Sequence, residues 1–164
     1  MNNEDKALEV LVGELLTEKH LTLSLAESCT GGLIGHRITN VPGSSVYFIG
    51  GVLAYAYEAK VKLLGVSWET LHQFGAVSAQ TVLEMAQGVR ETLNTDIGLS
   101  ACCIAGPGGA TPTKPVGTGW IGLAAKHGAW TRHFLFSFDR LGNKEALAEG
   151  ALTLLWEYLI GKIP

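Results

Sequence analysis

An α/β fold, a single mixed β-sheet with helices on both faces, is the architecture this sequence predicts. Two patterns carry the prediction. Apolar residues switch repeatedly between helical and two-residue periodicity along the chain, and two glycine-rich turns follow strand-like segments. The composition agrees. At 164 residues with 47% hydrophobic and 16% charged side chains, the chain is sized and composed for one folded domain spanning residues 1–164.

Leu8, Leu11, Val12, Leu15 and Leu16 keep helical spacing and predict an amphipathic helix over 3–19. Leu21 to Ala26 alternates and predicts a strand, followed by the turn Glu27-Ser28-Cys29-Thr30-Gly31-Gly32 and a helix over 33–38. The β-branched and aromatic run 46–57 predicts a strand, broken at Gly50-Gly51. Two short helices are expected at 58–64 and 68–74. Ser78 caps a longer one bearing Val82, Met85, Ala86, Val89 and Leu93. A buried strand over 96–105 runs into the second glycine-rich loop, Gly106 to Gly117, and 120–125 with 130–138 form a hairpin turning at 126–129. Asn143 caps a closing helix whose buried stripe includes Leu147, Ala151, Leu154 and Leu155.

Composition also narrows function. Twelve basic against fifteen acidic residues, with no basic run, argue against nucleic acid as a partner. The uncharged stretch 38–57 is interrupted by Asn40, Pro42 and Gly43 and reads as core, so no membrane association is expected. Three cysteines without metal-ligand or disulfide spacing, and an acidic amino-terminal segment, fit a reducing cytoplasm. The glycine-rich, apolar composition suggests a homo-oligomer.

Ligands of open α/β sheets gather beyond the carboxyl ends of strands, where both glycine-rich loops fall. A strand, the Ser28 turn and a helix would surround Ser28 with backbone N–H groups and a helix dipole, suited to a phosphate or an oxyanion. A plain helix cap explains the same residues. A serine nucleophile needs a base, and none of the five histidines stands in a supporting motif. A desolvated lysine is the other option: Tyr55 and Lys60 bracket the end of an aromatic strand, although a packed tyrosine and a surface lysine account for the same spacing. Cys29, near the helix start, is an alternative nucleophile. Lys114 and Arg140 are candidate phosphate partners or ordinary surface residues.

Taken together, Ala26-Glu27-Ser28-Cys29-Thr30-Gly31-Gly32, the run from Val41-Pro42-Gly43-Ser44-Ser45 to Lys60, Gly75-Ala76-Val77-Ser78, and Ile104 to Gly109 with Lys114 to Thr118 resemble the C-terminal domain of the competence/damage-inducible CinA proteins, over residues 5–160. The family includes stand-alone nicotinamide-nucleotide amidases. The resemblance implies a metal-free, cofactor-free amidohydrolase that converts nicotinamide mononucleotide and water to nicotinate mononucleotide and ammonia; the alternatives are a nucleotide- or phosphate-binding module without activity, or an amidase or esterase for another small substrate. It implies Ser28 as nucleophile, with Tyr55 and Lys60 activating it. Backbone around Cys29, Thr30, Gly31 and Gly32 would serve the oxyanion, and Ser45, Gly106, Pro107, Gly108, Gly109 and Arg140 would contact the substrate. Longer family members carry an additional amino-terminal domain. The chain departs from the family pattern at Cys102-Cys103, usually Thr-Gly, at Ala56 and Tyr57, usually Ser and Asn, and around Phe138 to Asn143, where Gly-Asp-Arg is usual.

Overall fold

The computed structural model describes residues 6–163. One five-stranded sheet in the order β2-β1-β3-β4-β5 organises them, with β1 (Leu23–Glu27) parallel to both β2 (Phe48–Leu53) and β3 (Ile97–Cys103). A hairpin of β4 (Thr118–Ala125) and β5 (Gly128–Leu135) continues it in antiparallel sense. The mixed sheet matches the expectation from sequence.

Helices α1 (Leu8–Glu18), α2 (Leu33–Thr39) and α6 (Arg140–Leu159) cover one face; α3 (Tyr57–Leu64), α4 (Trp68–Phe74) and α5 (Ala79–Thr92) cover the other. The central strands β1 and β3 are buried at every position, as expected of strands sandwiched between helix layers. The first core packs Leu16, Leu25, Ile34, Leu99, Ile121 and Leu155 together, and the second packs Ala26, Leu64, Leu71, Met85 and Val89. Burial of each large side chain is worth about 2 kcal/mol, whereas partly exposed pairs such as Arg37 with Glu9 and Glu149 add about 1 kcal/mol or less, so apolar packing holds the layers. Helix α5 rests directly on the sheet because Gly98 and Gly122 lack side chains: a Cβ there would stand 2.1 Å from the Ala86 carbonyl oxygen and 2.4 Å from that of Val82.

Several expected boundaries shift. The start predicted for the first helix, residues 3–5, lies outside the described residues, and the helix begins at Leu8. Strand β2 runs unbroken through Gly50-Gly51, with only a register irregularity beside it. The last helix starts at Arg140 and is capped by Asp139, which accepts from Gly142 N–H at 2.8 Å. Asn143 lies inside the helix instead, turned inward to donate to the Ala105 carbonyl and accept from Phe138 N–H.

Candidate active site

Strands β1, β2 and β3 end at the same edge of the sheet, and their carboxyl-terminal loops meet there. Alternation along β1 sends consecutive side chains to opposite faces. Glu27 turns toward α2, and Ser28 turns toward α3 and α5.

Glu27 is buried, and its carboxylate accepts from Thr30 Oγ1 at 2.6 Å and from the N–H groups of Gly32, Ile34 and Gly35 at 3.2, 3.1 and 2.8 Å. The N–H groups of Gly32, Ile34 and Gly35 are therefore committed to this side chain, where the sequence left the turn open to a phosphate or an oxyanion. Thr30 spends its hydroxyl in the same network. Gly31 and Gly32 adopt φ of 64° and 96°, which lets the chain fold back over the carboxylate. No residue pattern advertised this role for Glu27. Its partners are mostly backbone groups, placed by the turn.

On the opposite face, Lys60 Nζ lies 2.9 Å from Ser28 Oγ, and donates to the carbonyls of Ala54 at 2.7 Å and Tyr55 at 2.8 Å. Lys60 is 0% exposed and Ser28 is 5% exposed. Burial pushes the lysine amine below its usual value. The three contacts sort themselves by chemistry. Carbonyls can only accept, so a neutral amine gives its two N–H bonds to Ala54 and Tyr55 and turns its lone pair toward the Ser28 hydroxyl. The arrangement sets a buried amine of lowered proton affinity against a serine hydroxyl.

The turn supplies the remaining electrostatics. Ser28 N–H donates to the Ala101 carbonyl at 3.1 Å and Gly31 N–H to the Ser28 carbonyl at 3.1 Å, so both are engaged. Among the described residues, no acceptor meets the N–H of Cys29 or of Thr30. These two amides, next to Ser28, are left free to donate.

Tyr55 reaches the pair differently from its sequence expectation. Its side chain is 63% exposed, and its hydroxyl accepts from Arg140 Nη2 at 3.3 Å; it is the Tyr55 carbonyl that holds Lys60. Arg140 also donates to the Gly106 carbonyl at 2.7 Å and so joins Tyr55 to the second glycine loop. That loop is closed at its neck by Ile104 N–H to Thr118 O and Gly117 N–H to Ile104 O, and it carries Gly106, Pro107, Gly108 and Gly109 beyond the end of β3. Asn143, one turn after Arg140, anchors the same loop at Ala105.

Ser45 is not brought to this site. It is exposed in a 3-10 turn before β2, a strand length of about 20 Å from the end where Ser28 lies. Cys29 is buried, and burial pushes its thiol well above the usual value, which disfavours the thiolate a cysteine nucleophile would need. Cys102, beside Ser28 on the neighbouring strand, is fully enclosed and shifted upward by the same cause. Among the described residues no three His, Cys, Asp or Glu side chains converge as metal ligands, and no helix is long and apolar enough to cross a membrane.

Fold and site together define a mixed-sheet α/β domain with a buried serine–lysine pair at its strand ends. The chain belongs to the family of the CinA C-terminal domain, whose model matches residues 5–159. It is 50% identical over 159 residues to a CinA-like protein of Chloroherpeton thalassium, covering 94% of this chain and 38% of that protein, and 49% identical over 148 residues to a CinA-like protein of Salinibacter ruber, covering 90% and 36%. The chain thus spans under two fifths of the length of these curated relatives. Among solved structures, the competence damage-inducible protein A (ComA) of Klebsiella pneumoniae superposes with a TM-score of 0.90 at 30% identity, covering 93% of this chain and 95% of that one. The competence/damage inducible protein CihA of Agrobacterium tumefaciens gives 0.86 at 36% identity, covering 94% and 97%.

Proposed function

We propose that this protein is a nicotinamide-nucleotide amidase that hydrolyses nicotinamide mononucleotide to nicotinate mononucleotide and ammonia. The observation carrying the proposal is the buried contact between Lys60 Nζ and Ser28 Oγ. The choice of substrate rests on the family resemblance.

Neutral Lys60 takes the proton of Ser28 as its oxygen attacks the carboxamide carbon. The negative charge that develops on the carbonyl oxygen is met by the N–H groups of Cys29 and Thr30. The Lys60 ammonium returns the proton to the departing nitrogen, which leaves as ammonia, and an ester joins Ser28 to the nicotinoyl group. Water, deprotonated by the same amine, releases nicotinate mononucleotide and restores Ser28. In this scheme the Gly106–Gly109 loop and Arg140 face the ribose-phosphate end, and Tyr55 shapes the entrance. No metal or cofactor is called for, and the assembly is proposed to be a cytoplasmic homo-oligomer.

The test is ammonia release from nicotinamide mononucleotide, with free nicotinamide as the control substrate. Wild-type protein should release ammonia from the nucleotide only, and Ser28→Ala should lower turnover by at least about a thousandfold while keeping the fold. Ammonia release by Ser28→Ala at the wild-type rate would overturn the covalent scheme.

A further inference from the structure

Two motifs in the sequence play no part in the chemistry above. Gly75-Ala76-Val77-Ser78 joins α4 to α5, and Lys114 lies on the far limb of the second glycine loop. The fold brings both to the rim of one cavity of about 630 Å³, with Trp120 of β4 as a wall. The volume lies within the range of small-molecule sites.

The cavity sits on the same face of the sheet as the serine–lysine pair. Cys102 pairs with Trp120 across β3 and β4, and Trp120 with His133 across β4 and β5; paired residues share a face. Ser28 stands level with Cys102, because Glu27 pairs with Ala101. Trp120 is therefore two strand spacings from Ser28, about 10 Å away.

Three features give the cavity its chemistry. The Trp120 ring is half-buried and backed by His133, ring centroids 4.8 Å apart, and no acceptor among the described residues meets its indole N–H. Lys114 Nζ donates to the Phe74 carbonyl, its one acceptor among the described residues, which leaves two N–H bonds for an anion. Gln73, Gln80, Thr111 and Thr113 add side-chain amides and hydroxyls around the opening. A flat aromatic wall, a cation and a polar rim suit a planar nitrogen heterocycle that carries a sugar and an anionic group.

We propose that this cavity is a second small-molecule site, binding a nucleoside monophosphate with its base stacked on Trp120 and its phosphate on Lys114. Ser28, Tyr55 and Lys60 do not line the cavity, and the proposal does not depend on the amidase reading.

Adenosine monophosphate, which has no carboxamide to hydrolyse, is the probe. In an NMR titration of wild-type protein, the Trp120 indole N–H resonance, assigned with Trp120→Phe, should move saturably, while those of Trp130 and Trp156 stay in place. By calorimetry Trp120→Ala should weaken binding about tenfold or more, the value of one base–aromatic stack, and Trp120→Phe should retain most of the affinity. Lys114→Gln should weaken adenosine monophosphate more than adenosine. Absence of a saturable shift at Trp120 in the wild type, or unchanged affinity in Trp120→Ala, would overturn the proposal. The readout is binding alone, so a failed ammonia assay leaves it standing, and failure of binding here leaves the Ser28 reaction untouched.

Discussion

Glu27 and Lys60 are both buried at the carboxyl end of the sheet, yet their surroundings prepare them for opposite tasks. The Glu27 carboxylate meets four donors, three of them backbone amides at a helix start, which solvate its negative charge and fix the turn. Lys60 meets two carbonyls and a hydroxyl; no carboxylate contacts its amine. Its charge meets no carboxylate in a buried site, and the neutral amine gains. Opposite faces of one strand end thus hold a carboxylate ringed by donors and a lysine without a carboxylate partner. A buried ionisable group is reactive when its environment withholds support from its charged form.

That contrast is open to being broken, most severely at Lys60. Lys60→Met should lower turnover by about a thousandfold, measured by ammonia release, and Lys60→Arg should fail to restore it because a guanidinium stays protonated. The folded protein binds the Lys60 proton less tightly than the unfolded chain does. Between the lowered folded value and the ordinary one, the unfolded state holds more protons, so stability rises with pH. Urea unfolding over rising pH should show wild type gaining stability relative to Lys60→Met; the opposite trend would mean a lysine stabilised as a cation.

A smaller effect is expected at Glu27. Glu27→Gln keeps the shape but replaces one acceptor oxygen with a donor facing backbone N–H groups, at a cost of about 1–3 kcal/mol in urea unfolding. Turnover should fall with it, about tenfold, as the Cys29 and Thr30 amides lose their fixed place. If Glu27→Gln unfolds like wild type, the carboxylate is not what holds the turn. Tyr55→Phe should matter least. The carbonyl that grips Lys60 is kept and only the exposed hydroxyl bonded to Arg140 is lost, so turnover should drop by less than about tenfold.

Much of this architecture was legible in sequence, for reasons tied to particular residues. Helical spacing in α1 and α5 and the alternating or apolar runs of β1 and β3 identified elements whose faces are fixed by burial. The start of α6 was misplaced because the expected cap, Asn143, lies one turn inside the helix that Asp139 caps. Asp139 and Asn143 are both good cap types, and only packing shows that Asn143 turns inward to the Ala105 loop. At the site, spacing left Lys60 open between a surface lysine and a buried one, and the distinction came from the amine reaching Ser28 and Ala54, the residues that follow β1 and β2. Glu27 was invisible as an organiser because its partners are backbone amides. Ser45 illustrates the reverse: a residue inside a matching motif lies at the wrong end of a strand, a matter of chain direction that a motif does not encode.

Activation of Ser28 by neutral Lys60 would be visible in the pH dependence of kcat/KM for ammonia release from nicotinamide mononucleotide. A rise governed by one deprotonation is expected, with its midpoint below the ordinary lysine value and lost together with activity in Lys60→Met. A profile that stays flat or falls across that range, in an enzyme that still needs Ser28, would contradict it.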